Sequence, residues 1–102
     1  MKIANRDIKP DNLLFTTKEG GTLNTMYDRA QITDFTIAIK LPEEDTDEFT
    51  VSDLGGTKIF LAPECLNSGP YKPKPTDIWA LGVSIYVMVF GQVPFGGKEY
   101  TA

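Results

Sequence analysis

The chain has 102 residues, 41% apolar and 24% charged, a composition ordinary for at most one small globular domain and unlike that of a disordered tail. A net charge of -4 and a pI near 4.6 argue against a general nucleic-acid binder, which relies on basic patches. One cysteine, Cys65, excludes an intrachain disulfide, the absence of histidine argues against a zinc site, and the opening residues carry no apolar run of the signal-peptide type.

Ile3 and Ala4 lead into the stretch Asn5 to Asn12, N-R-D-I-K-P-D-N. It places an Arg-Asp pair, a Lys two residues beyond the Asp and an Asn five residues beyond it in one short loop. These residue types suit phosphate chemistry. An Asp can orient and deprotonate a hydroxyl, a Lys can neutralise charge on a transferring phosphoryl group, and an Asn oxygen can hold magnesium. Pro10 prevents a helix from running through the loop, because it lacks an N–H and fixes φ. Leu13 to Phe15 read as a short strand. Thr16 to Arg29, with Gly20-Gly21 and no apolar period, reads as a long turn. Gln31 to Phe35 reads as a second strand returning antiparallel to the first. Two strands alone are marginal in water, so the hairpin is expected to lie against another element.

The acidic run Glu43, Glu44, Asp45, Asp47 and Glu48 reads as a solvated loop. Asn67 to Pro75 is a loop by composition, holding Gly69-Pro70, Pro73 and Pro75. Ile78 to Phe90 is apolar except for Gly82 and Ser84. Its length, with Thr76 and Asp77 before it and Gly91 after it, predicts a helix buried all round and too short to span a membrane. Asp77 reads as a cap of that helix. Trp79 reads as core, and Cys65 as a small buried residue rather than a redox switch.

Asp7, Lys9 and Asn12, followed after a hairpin by Asp34-Phe35-Thr36, resemble the catalytic loop and metal-binding loop of protein kinases. Gly56-Thr57, Ala62-Pro63-Glu64 and Asp77-x-Trp79-x-x-Gly82 follow in the order that family uses. Lys9 and the Gly-Thr pair are similar to the serine/threonine class, and the run from Thr76 to Phe95 is similar to the calmodulin-dependent kinase kinase branch.

The resemblance implies an α+β fold: part of the large, C-terminal kinase lobe, with a short β-hairpin, an activation segment over Ile37 to Leu61 and a buried central helix. It implies that residues 1–102 are a partial kinase domain whose small lobe and final helices are absent. The implied activity is transfer of the ATP γ-phosphate to a protein Ser or Thr hydroxyl. The alternative is a pseudokinase or an interaction module without catalysis. Asp7 would be the base or the orienter of the substrate hydroxyl, Lys9 would contact phosphate, and Asn12 with Asp34 would hold Mg2+. Lys9, Asp11, Asn12, Leu14 and Asp34 would line the ATP site, with Leu14 beneath adenine. Arg6 would steady the activation segment, Thr57 would brace Asp7 and Lys9 where an acceptor peptide docks, and Glu64 would be structural. Asp77 would reach back to hydrogen-bond the backbone of the loop instead of only capping its helix, and the acidic run, beside the peptide groove, would favour basic acceptors. Asp53, four residues before Thr57, is expected to pair with Arg6 in place of a phosphate, with Thr46, Thr50 and Ser52 as other phosphosites.

Two positions depart from the pattern. Asn5 stands where the family has His or Tyr and needs polar partners, and Thr36 replaces the Gly of D-F-G with a β-branched residue. Both bear on switching more than on chemistry. Expected partners are ATP and a protein substrate, with neither nucleic acid nor membrane, in an intracellular, cytoplasmic setting. By itself the chain is expected to be marginally stable, to expose apolar patches and to bind ATP weakly.

Overall fold

Chain stiffness and the placement of prolines decide the longest element. In the computed structural model, which describes residues 2–17, 27–44, 49–53, 55–67 and 69–95, helix α1 runs from Pro73 to Phe90. It therefore starts five residues before the predicted Ile78. Pro73 and Pro75 lie in its first turn, where the backbone N–H groups have no helical acceptor and their loss costs nothing. Asp77 is consequently inside the helix, and the flanking N-cap position is Lys72, whose side chain makes no capping bond. At the other end Gly91 adopts φ 72° and donates its N–H to the Val87 carbonyl at 2.8 Å, the left-handed closure that glycine tolerates.

Among the described residues, four short strands accompany the helix as two antiparallel pairs. Strand β1 (Ile3–Ala4) pairs with β4 (Ile39–Lys40), aligning Ile3 with Lys40 and Ala4 with Ile39. Strand β2 (Leu13–Thr17) pairs with β3 (Tyr27–Ile32), with Leu13 opposite Ile32 and a register shift at Thr16/Thr17. The hairpin strands thus extend into what the sequence suggested was a turn, and Thr33 to Phe35 lie outside β3. Thr16 and Thr17 continue β2 because β-branched residues suit a pleated strand. Residues 18–26 of that expected turn, with Gly20-Gly21, lie outside the described residues, as do Asp45, Thr46, Asp47 and Glu48. Leu14, Phe15 and Ile32 stay about half exposed, so among the described residues the hairpin is not covered by a second layer as the expectation required.

The core forms where α1 meets the Asn5 to Asn12 loop and a single turn at Lys58–Phe60. Ile8, Phe60, Ala80, Val83 and Val87 make one buried cluster, and Ala62, Cys65 and Tyr71 make a second. Half-buried Trp79 touches both and stacks on Phe95 with ring centroids 5.6 Å apart. Burying a side chain such as Val83 or Phe60 is worth about 1.5–3 kcal/mol. Two hydroxyls inside this apolar setting are satisfied locally: Thr76 donates to the Pro73 carbonyl and Ser84 to the Ala80 carbonyl, each at 2.7 Å. The opposite side of α1 is not buried. Ile78, Val89 and Phe90 are between 62% and 69% exposed, which corrects the expectation of a helix enclosed all round and agrees with the expected apolar patches. Among the described residues no helix is long and apolar enough to cross a membrane.

Candidate active site

The loop after β1 is held from below. Asp77, one turn into α1, accepts the backbone N–H of Asn5 at Oδ2 (2.7 Å) and that of Arg6 at Oδ1 (2.9 Å). Arg6 sits at φ 70°, a left-handed conformation rarely adopted by a side-chain-bearing residue, and this lets consecutive N–H groups converge on one carboxylate. Burial raises the Asp77 pKa, and its bonds from Arg6 and Asn5 only partly offset that.

Above this anchor the polar side chains form a connected set. Lys9 Nζ lies 3.0 Å from Thr57 Oγ1, and the Thr57 hydroxyl donates to Asp7 Oδ1 at 2.9 Å. Asn12 Nδ2 donates to the Asp7 carbonyl at 2.9 Å, which shapes the loop around the turn Pro10–Asn12 and leaves the Asn12 side-chain oxygen for another ligand. Thr33 donates its N–H to the Asn12 carbonyl at 2.8 Å, joining the loop to the segment that carries Asp34. Asp34 is exposed, at φ 63°, and its Oδ1 accepts both the hydroxyl and the N–H of Thr36. The Thr36 hydroxyl, then its N–H, hold the Asp34 carboxyl below the usual carboxylate range, and the charge of Lys9 adds to this.

Arg6 links the loop to the following segment. Its Nε donates to the Ile37 carbonyl at 2.7 Å and its terminal nitrogen meets Asp53 Oδ2 at 3.0 Å. Burial is the largest single influence on Arg6 and opposes its charge, yet Asp53 and Tyr71 together outweigh it and its pKa lies above the ordinary value; the bond from Arg6 holds Asp53 low in turn. Tyr71 fixes Asp53 independently, donating its hydroxyl to the Asp53 carbonyl at 2.8 Å while Val51 and Tyr71 exchange two backbone bonds of 2.9 Å. Gly56 passes so close to the loop that a Cβ there would lie 2.5 Å from the Arg6 carbonyl oxygen, at φ 95°. Only glycine fits that crossing.

Asp7, Lys9, Asn12, Thr57, Arg6, Asp53 and Asp77 are thus brought into one network. Asp11 and Leu14 are exposed, and Glu64 is exposed in the turn Pro63–Cys65 with no ion-pair partner among the described residues. Cys65 is buried, and burial raises its thiol pKa. Tyr71 and the Ile37 carbonyl were not foreseen, since their roles depend on the path of a loop without periodic sequence signal. No cluster of three His, Cys, Asp or Glu side chains exists among the described residues. A cation here would rest on the oxygens of Asn12 and Asp34 and take the remainder of its shell from phosphate and water, a donor set that fits Mg2+.

The sequence model of the protein kinase domain matches residues 1–102. The chain belongs to the protein kinase domain family. It is similar to serine/threonine-protein kinase ppk34 of Schizosaccharomyces pombe, 41% identical over 98 residues, covering 94% of this chain and 24% of that protein. Serine/threonine-protein kinase GRIK1 of Arabidopsis thaliana is 38% identical over 95 residues, covering 93% and 21%. Calcium/calmodulin-dependent protein kinase type II of Caenorhabditis elegans is 38% identical over 97 residues, covering 95% and 12%. The family and these relatives identify the chain as a eukaryotic-type serine/threonine protein kinase segment, and near-equal identities single out no branch. The chain spans a quarter or less of these kinases.

Proposed function

We propose that these residues form the catalytic-loop, activation-segment and central-helix part of the large lobe of a serine/threonine kinase domain, which transfers the ATP γ-phosphate to a protein hydroxyl. The observation that carries this reading is the chain from Lys9 through Thr57 to Asp7, with Asn12 and Asp34 on adjoining segments. Asp7 orients the acceptor hydroxyl and takes its proton as the oxygen attacks the γ-phosphorus and the bond to ADP breaks. Lys9 offsets charge on the phosphoryl oxygens. Asn12 and Asp34 would hold Mg2+, which would supply the remaining charge neutralisation. Thr57 sets the mutual placement of Asp7 and Lys9, and Arg6 with Asp53 orders the segment leading to Thr57. Such catalysis is positioning and electrostatics, which this set of side chains provides.

ATP binding by these residues alone is expected to be weak, because Asp11, Leu14 and Asp34 stand on an open surface. A thermal-shift titration of the 102-residue chain with Mg-ATP should show no saturable stabilisation, and a clear one would overturn this. The activity itself is tested with the product of the coding sequence extended on both sides. Phosphate transfer to Ser or Thr should fall by about two to four orders of magnitude in Asp7→Asn; an unaffected rate removes Asp7 from the reaction.

A further inference from the structure

Asn5 is 4% exposed, and its side-chain amide is engaged at both ends. Nδ2 donates to the Asp34 carbonyl at 3.1 Å, and Oδ1 accepts the Asp7 N–H at 2.9 Å. The orientation of the amide is fixed chemically, since a carbonyl can only accept and an N–H can only donate. One small group therefore bridges the peptide units of Asp7 and Asp34, two residues 27 positions apart in the sequence.

We propose that Asn5 is a positioning residue, a strut that sets the placement of the base Asp7 relative to the cation-holding Asp34. This rests on the kinase reading above. The site demands one donor and one acceptor at opposite ends of a short side chain. An apolar residue of the same shape leaves a buried N–H and a carbonyl unpaired, and a carboxylate sets acceptor against acceptor at Asp34. The backbone bond from Asn5 to Asp77 does not involve the side chain, so the strut can be removed while the anchor to α1 stays. What reads in the sequence as a missing ring is a rigid connection that does not titrate.

Amide hydrogen exchange and NMR shifts on the full chain test this with Asn5→Asp, which retains only the acceptor, and Asn5→Ala, which retains neither group. Protection of the Asp7 N–H should persist in N5D and fall at least tenfold in N5A. The Asp34 carbonyl shift should move in both, and the amides of Asn5 and Arg6 should stay protected. Mn2+ added alone, as a paramagnetic stand-in for Mg2+, should broaden the Asn12 and Asp34 signals together in the parent. In both variants it should require several-fold more metal, whereas Val87→Ala, which disturbs only packing, should leave that concentration unchanged. Uniform loss of protection in both variants, unfolding included, makes Asn5 a general packing residue and overturns the proposal, as does unchanged Asp7 protection in N5A. A parent in which Mn2+ broadens neither signal, while the Asp7 and Asp34 effects appear as described, refutes the metal-site reading and spares the strut's geometry. The converse pattern refutes the strut alone.

Discussion

The two sides of helix α1 are both apolar and have opposite fates. Thr76, Ala80, Val83, Ser84 and Val87 recur at helical spacing and are buried; Ile78, Ile85, Tyr86 and Val89 recur at the same spacing and are exposed. Hydrophobicity therefore does not choose the packed side. The choice follows from Asp77, whose carboxylate takes the Asn5 and Arg6 amides and so brings the Asn5 to Asn12 loop, and with it Ile8, onto one face. Phe60 completes that face from the turn that follows Thr57. The polar network and the core are two aspects of one contact, and the exposed side is surplus to it.

The sharpest way to break this comparison is to truncate one residue on each side. Phe60→Ala removes a ring that is 3% exposed and should cost about 3–5 kcal/mol in urea denaturation, through lost transfer energy and the cavity left behind. Ile78→Ala removes a side chain that is 69% exposed and should change stability by no more than about 0.5 kcal/mol. Equal losses would mean that the exposed side packs in solution and that the distinction drawn here is wrong.

Glycines sharpen the same contrast with smaller effects of opposite sign. Gly56→Ala forces a methyl toward the Arg6 carbonyl at a φ of 95° and should lose at least about 1–3 kcal/mol. At Gly82, on the exposed side, an added Cβ meets nothing within 4 Å, so Gly82→Ala should gain about 1 kcal/mol from helix propensity. Thermal midpoints moving in the same direction for both would contradict the two environments.

Much of the site was legible because its parts are short and chemically specific. Asp7, Lys9 and Asn12 could be named from residue type and spacing and Thr57 from the family resemblance, and the structure joins them through hydrogen bonds. The strand pair Ile3–Ala4 with Ile39–Lys40 was not legible, since two residues carry no alternation and their pairing spans the whole hairpin. The helix start was misplaced because Pro73 and Pro75 signal both a loop and a first helical turn, and only the path of the chain decides between them. Asn5 was read by comparison with a ring and so as a deficiency. Its two partners, an N–H two residues on and a carbonyl 29 residues on, are visible only in three dimensions.

The smallest effect concerns the ion pair that ties the two halves of the network across the surface. Arg6 is nearly covered and Asp53 is 69% exposed, so solvent and salt screen their attraction. Arg6→Gln and Asp53→Asn should nevertheless be less damaging together than the sum of the single changes, and strict additivity would exclude the pairing. Because Arg6 holds the folded-state pKa of Asp53 below its unfolded value, the contribution is complete above about pH 4 and is lost as pH falls through the lower folded value. Asp77 acts with the opposite sign. Burial raises its pKa, so protonation favours the folded state at low pH and that advantage is lost as pH rises through the raised value. The acid limb of the parent mixes both, whereas the difference between parent and Asp53→Asn curves cancels Asp77. That difference should vanish at low pH and in strong salt, while the Tyr71 bond to the Asp53 carbonyl, being uncharged, survives both. A difference that persists in high salt would assign the role of the Asp53 side chain to its hydrogen bond with Arg6 rather than to the attraction of opposite charges, since Asn keeps the backbone carbonyl that Tyr71 holds.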